Sequence, residues 1–175
     1  MIEQQELEHV HWDHMVRNRI NTPKHRFISW LAIQSRLCTK EKLAQFGVSN
    51  SDTCCICEVE AESHAHLFFQ CDFSRRLLSD IKQWMGITSR STDLVCLQQW
   101  IHHNQRSKFK RNVWYASLAA AIYFTWQCRN KAYWDQSVPN PRHVFVSLKQ
   151  SVKQRVVAVM PQNVSRVEQN WFVSL

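Results

Sequence analysis

Glycine is nearly absent from this sequence, since Gly47 and Gly86 are the only two in 175 residues. An average usage of roughly 7% would supply about 12. Glycine provides the positive φ angles that tight hairpins and Gly-rich phosphate-binding loops require. Its scarcity therefore argues against dinucleotide-binding folds, P-loops and all-β sandwiches, and we predict a mostly α-helical protein.

The composition is that of a globular protein, with 45% hydrophobic and 21% charged residues. The length allows one domain or two small ones. The first ten residues, MIEQQELEHV, are acidic and resemble neither a secretory signal nor an Arg-rich transit peptide. We therefore expect an intracellular protein, in the nucleus or the cytoplasm, where thiols stay reduced.

One apolar segment, residues 113–128, raises the question of a membrane. At about 1.5 Å per residue it would span roughly 24 Å as a helix, short of the roughly 30 Å hydrocarbon layer. We interpret it as a helix buried inside a domain and expect no membrane association.

The strongest chemical signal is the spacing Cys-x2-Cys-x8-His-x4-Cys formed by Cys54, Cys57, His66 and Cys71. Two thiolates this close can hold one ion from a single turn, and the later His and Cys complete the tetrahedral set that Zn²⁺ prefers. The pattern predicts one structural zinc ion. The alternative is a group of ordinary buried cysteines with a surface histidine.

Two neighbouring residues leave the ligand set open. His64 is an alternative to His66, and Cys55 is interpreted as a spare thiol because it adjoins Cys54. The three remaining cysteines lie in apolar helical patterns and are expected to be small buried hydrophobic residues. They are Cys38, Cys96 and Cys128.

Apolar residues at helical spacing, separated by Pro, Gly and polar breaks, predict the organisation of the chain. We predict helices at 6–19, 24–37, 72–85, 93–101, 105–134 and 143–159. A further short helix, capped by Thr39, should end at Gly47. We expect a helical lead-in at 1–20, a small zinc-stabilised helical domain at 21–86, a linker at 87–92 and a basic helical carboxy-terminal bundle at 93–175.

Several stretches together resemble the zinc-binding domain of plant LINE-like (non-LTR) retrotransposon reverse transcriptases. They are PKHRFISWLA at 23–32, RLxTKxKL at 36–43, and the cysteine–histidine segment with Glu62, Ser63 and HLFFxC at 66–71. Downstream, WxxRN at 126–130 and NWF at 170–172 resemble the region that follows this domain. The resemblance implies zinc ligation by Cys54, Cys57, His66 and Cys71, and a role in handling nucleic acid during reverse transcription.

Catalytic residues of a polymerase are absent from the sequence. Polymerase chemistry uses two metal ions held by clustered carboxylates. The aspartates are scattered, with no Tyr-x-Asp-Asp, and beyond Asp80 only Asp93, Asp135 and Glu168 remain for an RNase H site. No Cys or Ser lies in a recognisable nucleophile setting. We therefore predict that this chain is not an enzyme.

Positive charge is concentrated in the second part of the chain. Residues 1–71 hold 7 Lys+Arg and 9 Asp+Glu, whereas residues 72–175 hold 15 and 5. Such a surface can follow phosphates without strong sequence preference, although a solvated helix face is the simpler interpretation. The candidate nucleic-acid contacts are Arg75, Arg76, Arg106, Lys108, Lys110, Arg111, Arg129, Lys131, Lys149 and Lys153.

Tryptophans are the natural stacking platforms for bases, and the chain has eight. Four lie on apolar helical stripes and are expected to pack in the core, namely Trp30, Trp84, Trp114 and Trp126. The other four, Trp12, Trp100, Trp134 and Trp171, are less constrained, and one of them can lie at an interface.

Two functions fit these observations. In the first, the chain is a non-catalytic zinc-binding module that binds RNA or DNA through its carboxy-terminal part. In the second, it is a fragment adopted by a host as a protein–protein interaction module, with a purely structural zinc site.

Overall fold

Helices dominate the computed structural model, which describes residues 13–175. They are α1 (Asp13–Val16), α2 (Pro23–Ile33), α3 (Lys40–Gln45), α4 (Asp72–Met85), α5 (Leu94–Asn104), α6 (Lys108–Asp135), α7 (Pro141–Ala158) and α8 (Arg166–Ser174). A five-residue π-helical turn (His66–Gln70) precedes α4 and is called the π turn below. Within residues 13–175 the only β pairing is an isolated antiparallel bridge between Thr53 and Ala61. The prediction of a mostly α-helical fold is confirmed.

Helix α6 forms the centre of the fold and packs against α1, α2, α4, α5 and α7. Every residue from 113 to 120 is buried, and the small side chains of Ala119 and Ala120 let neighbouring helices approach closely. The hydroxyl of Ser29 in α2 donates to the carbonyl of Ala119 at 3.3 Å. This burial on several sides explains why the segment is apolar around most of its circumference.

The apolar segment at 113–128 is therefore a buried helix, as predicted. In the part of the chain that the structure describes, no helix combines the length and apolarity needed to cross a membrane.

The hydrophobic core continues across the predicted linker at 87–92. Ile81 of α4, Leu97 of α5, Val113 of α6 and Leu148 of α7 are all fully buried in it. Because α4 packs against both α6 and α7, apolar contacts join the cysteine-bearing segment to the basic helices. The division into 21–86 and 93–175 stays a prediction, and most of the lead-in at 1–20, including Trp12, lies outside the described residues.

Capping residues define several helix ends. Ser107 begins α6 by accepting a hydrogen bond from the Lys110 amide at 3.1 Å, and Asn140 begins α7 in the same way through the Arg142 amide at 2.9 Å. Gly86 ends α4 with a φ of +67°, a left-handed conformation that glycine adopts without strain. Helix α4 coincides with its predicted bounds.

The clearest departures from the predicted helices concern α2 and α8. Helix α2 stops at Ile33, short of residue 37, because the chain turns at Ser35 with a φ of +49°. Helix α8 is not predicted at all. Its signal is a capping box in which the Ser165 amide donates to Glu168 and the Glu168 amide donates to Ser165 Oγ.

Candidate metal centre

The four predicted ligands converge on one point. The ligand atoms of Cys54, Cys57, His66 and Cys71 all lie within 4.8 Å of one another, and His66 Nε2 is 3.3 Å from Cys57 Sγ. Cys54 and Cys71 are each 1% exposed and His66 is 5% exposed, whereas Cys57 is half-buried. Three sulfur atoms and one imidazole nitrogen in a closed, largely dry group fit the donor set of a structural Zn²⁺ site.

A narrow loop presents the first two ligands. The Thr53–Ala61 bridge closes its base, and the Cys54 amide donates to the Glu60 carbonyl at 2.7 Å. At the tip, Glu58 has a φ of +56° and its amide donates to the Cys54 carbonyl at 2.9 Å. This turn folds Cys57 back towards Cys54, which explains why two intervening residues suffice.

The π turn presents the other two ligands. Residues five apart on an α-helix point about 140° away from each other, at 3.6 residues per turn. In the π turn, the Cys71 amide donates instead to the carbonyl of His66, five residues earlier, at 2.7 Å. The x4 spacing therefore matches one π-helical turn, and the two ligands lie near each other at its ends.

Hydrogen bonding between the thiols shows how close the sulfurs are. The bond between Cys54 and Cys71 raises the pKa of Cys54 and lowers the pKa of Cys71. Burial raises the pKa of Cys54 further, while the amides of Ile56 and Cys57 donate to its sulfur and lower it. Amides directed at a sulfur also stabilise the thiolate that a metal ion requires.

The structure selects His66 over His64. His64 lies outside the ligand group, where its ring faces Phe68 and hydrogen-bonds the carbonyl of Leu37. Burial, reinforced by Lys42, lowers the pKa of His64 and favours its neutral form. Cys55 is also outside the group, and burial raises its pKa to about 11.

The expectations for the remaining cysteines are correct for one of three. Cys128 is buried, and burial raises its pKa to about 11. Cys38 and Cys96 are exposed, so the expectation that they are buried was wrong. Cys38 follows the early end of α2, and Cys96 lies on the outer face of α5.

Sequence reasoning missed the residue that joins this centre to the rest of the fold. Glu62 is fully buried and accepts hydrogen bonds from the Lys40 amide at 2.7 Å, the Cys55 amide at 3.2 Å and Arg129 Nε at 2.9 Å. One carboxylate thus contacts the start of α3, the metal-binding loop and the carboxy-terminal part of α6. From the sequence, Glu62 has no predicted structural role, whereas in the fold Arg129 neutralises its charge inside the protein.

Glu62 also replaces the predicted cap of α3. Thr39 occupies the N-cap position, but its side chain makes no capping hydrogen bond, and its buried hydroxyl has no partner among the described residues. The Glu62 carboxylate accepts from the first amide of the helix instead. A carboxylate at this end of a helix also interacts favourably with the helix dipole.

Assigning Arg129 to a nucleic-acid surface was wrong. The residue is 3% exposed, and its guanidinium carbon lies 5.1 Å from the ring centre of Trp126 and 4.7 Å from that of Tyr133. Its guanidinium pairs with Glu62 inside the protein. Because the side chain is buried, no phosphate can reach it. The WxxRN stretch supplies this buried arginine and one of the rings beside it.

The other basic candidates remain accessible. Arg75 pairs with Asp72 at 2.8 Å on the surface of α4. Lys110 and Lys149 lie over the rings of Trp171 and Trp84, at 4.9 Å and 5.1 Å from the ring centres. Exposed positions are Arg75, Arg76, Arg106, Lys108 and Lys131, and half-buried ones are Lys110, Arg111, Lys149 and Lys153.

The tryptophans do not separate into core and accessible residues as clearly as predicted. Trp114 is buried, Trp84 and Trp126 are half-buried against the core, and Trp30 is half-buried beside Phe27 and Arg36. Trp100 stacks on Trp114, and Trp171 packs edge-on against Phe109. Trp134, which is 75% exposed, is the accessible aromatic ring of this group within residues 13–175.

Comparison with known proteins identifies the amino-terminal part. Residues 1–77 match the family model for zinc-binding in reverse transcriptase, a span that contains all four ligands and ends inside α4. Searches of curated proteins and of solved structures found no match. The match supports a zinc-binding segment of the reverse-transcriptase type, which is distinct from a catalytic polymerase domain, and the positions of the ligands support binding of one metal ion.

Proposed function

We propose that this chain is a non-catalytic module of plant LINE-like retroelement origin, which binds RNA or DNA without strong sequence preference. The observation that carries the proposal is the combination of a reverse-transcriptase zinc-binding segment with a basic second part whose charges, Arg129 aside, are accessible. A reducing compartment, the nucleus or the cytoplasm, suits its thiolate ligands.

In this proposal the zinc ion has a structural role. Four protein ligands leave no coordination position for an activated water molecule. Binding of a structural zinc ion contributes on the order of 10 kcal/mol to folding, which is comparable with the stability of a whole domain. The ion would hold the metal-binding loop to the π turn, and Glu62 would connect that loop to α6.

Contact with nucleic acid would come from the start of α6 and its surroundings. Arg106, Lys108, Lys110 and Arg111 lie within six residues of each other at this helix end. Cations of this kind neutralise phosphates and release counterions, so affinity would fall steeply with salt and depend little on sequence.

Fluorescence anisotropy with labelled single-stranded and duplex oligonucleotides tests the proposal. We expect binding at about 50 mM salt that weakens strongly at about 200 mM. Exchange of Lys110 and Arg111 for Glu should weaken it further. Lys24→Glu with Arg36→Glu is the matched control, because these exposed residues carry the same charge in the amino-terminal part. Absence of binding at low salt, or equal loss in both variants, contradicts the proposal.

A second function is favoured by exposed apolar side chains after α3 and in the metal-binding loop. Phe46 and Val48 follow α3 with 73% and 68% exposure, and Val59, at the tip of the metal-binding loop, is 78% exposed. These residues suit a host-adopted protein–protein interaction module. Affinity purification after nuclease treatment should then recover one stoichiometric partner, and Phe46→Ser with Val59→Ser should abolish its recovery.

A further inference from the structure

A cleft that the sequence does not predict lies between the slightly acidic first part of the chain (residues 1–71) and the basic second part (residues 72–175). Its walls are the turn after α1, the start of α6 and the segment between α7 and α8, and it encloses about 730 Å³. Arg17 and Arg19 come from the turn, Lys108 and Asn112 from α6, and Pro161 from the α7–α8 segment. The cleft thus combines cations from the nominally acidic part with those at the start of α6.

The turn that carries Arg17 and Arg19 is fixed by buried asparagines. Asn18, which is 5% exposed, donates to the carbonyl of Asn112 at 2.6 Å and accepts from the Ile20 amide at 3.1 Å. Asn21, which is 1% exposed, donates to the carbonyl of Met15 at 2.6 Å. These bonds hold the backbone of the turn against α6, so a ligand would meet arginines on a preorganised support.

Positive charge predominates among the described residues of the cleft. Arg17, Arg19 and Lys108 line it, and Arg155 of α7 adjoins it by donating from Nη2 to the Arg19 carbonyl at 3.2 Å. The buried Nε of Arg155 has no hydrogen-bond partner among residues 13–175. Glu168 is the acidic residue of the described lining, and hydrogen bonds from the hydroxyls of Ser107 and Ser165 already engage its carboxylate.

We propose that this cleft binds the phosphate backbone of single-stranded nucleic acid. The inference rests on the proposed function and locates its principal contact. A volume of about 730 Å³ is that of a pocket enclosing one small ligand. One or two nucleotides of a flexible strand can enter such a cleft. A duplex, whose persistence length is about 150 bp, can only lie across its rim.

Charge reversal inside the cleft tests this proposal. Arg19→Glu with Lys108→Glu changes two exposed side chains, and an acidic residue in the first turn of α6 is compatible with the helix dipole. Lys24→Glu with Arg36→Glu again provides the same change of net charge elsewhere. Zinc content and the helical circular dichroism signal establish that each variant is folded, and Arg19→Gln with Lys108→Gln is used if charge reversal disturbs the fold.

The measurement is anisotropy of a labelled oligothymidylate of about 16 nucleotides at about 0.1 M salt, where the Debye length is about 10 Å. We expect the cleft variant to bind at least about tenfold more weakly. The slope of the logarithm of the binding constant against the logarithm of salt concentration should also fall in magnitude by about 2, since each lost phosphate contact lowers it by about 1. The control variant should stay within about threefold of the unaltered protein, because neither Lys24 nor Arg36 lines the cleft.

Other outcomes overturn the inference. If the unaltered protein binds the strand and the cleft variant binds equally well, the cleft is not the site while the proposed function stands. If the unaltered protein binds no nucleic acid, the proposed function fails and the inference with it. Equal binding of a matched duplex with equal loss in the cleft variant contradicts the single-strand preference. Displacement of the strand by polyglutamate as effectively as by unlabelled strand identifies a general polyanion site instead.

Discussion

Breaking the buried ion pair between Glu62 and Arg129 should destabilise the protein severely. The two side chains are 0% and 4% exposed, so neither charge can be solvated by water. Arg129→Met keeps an apolar stem but leaves the carboxylate with only the Lys40 and Cys55 amides as donors. Removing one member of a buried pair costs about 3–5 kcal/mol. We therefore expect the free energy of unfolding to fall by at least about 3 kcal/mol.

A double-mutant cycle measured by urea unfolding of zinc-saturated protein isolates the pair. Glu62→Gln removes the charge and keeps an acceptor for the amides. Each single variant leaves one uncompensated buried charge, whereas the double variant with Arg129→Met leaves none. The double variant should therefore lose less stability than the sum of the two single losses, by about 2 kcal/mol.

The surface pair Asp72–Arg75 is the matched control. Its side chains are 74% and 56% exposed at a similar distance of 2.8 Å. Exposed pairs contribute at most about 1 kcal/mol, so Arg75→Met should have little effect. Losses for Arg129→Met and Arg75→Met that differ by less than about 1 kcal/mol, or an additive cycle, would refute the reasoning.

Three further predictions concern the metal, the pH dependence and a cap. Cys71→Ser should remove the bound zinc measured by metal analysis and reduce the helical signal, whereas Cys38→Ser, at an exposed position, should change neither. Burial and the nearby Lys24 lower the pKa of His25 to about 4, so the unfolded chain binds the extra proton first and stability falls as pH drops from 6.5 towards 4. His25→Phe should remove about 1.6 kcal/mol of the fall in the free energy of unfolding between pH 6.5 and pH 5, and an unchanged pH dependence contradicts this. Thr39→Val should leave stability unchanged or raise it by up to about 1 kcal/mol, because the buried hydroxyl caps nothing and has no partner among the described residues, whereas Ser165→Ala should cost about 1 kcal/mol, both measured by urea unfolding.

The sequence predicts well what local spacing determines. The cysteine and histidine positions indicate one metal centre because ligands of a small site lie close together in the chain. Helix α4 follows from its apolar stripe and Gly86, and α6 from its long apolar pattern. The choice between His64 and His66 needed the π turn, whose hydrogen-bond pattern differs from that of an α-helix and has no clear sequence signature.

Long-range contacts account for the failures. Glu62 and Arg129 are 67 residues apart, so each looks like an ordinary surface charge until the fold brings them together. The cleft combines a turn near residue 18 with the start of α6. The sequence did not indicate this, because the turn belongs to the part of the chain with a negative net charge. Helix α8 is a different case, since its capping box is local and can be found by inspection.

The span that matches the family ends at residue 77, inside α4 and well before Arg129. A fragment excised at that point would contain all four ligands, but its Glu62 would be left without a counter-ion. It would also expose the side of α4 that α6 and α7 now cover. The metal centre therefore cannot be transferred to another protein as residues 1–77 alone. A transferred segment, whether it arises by recombination or by design, has to extend at least as far as Arg129.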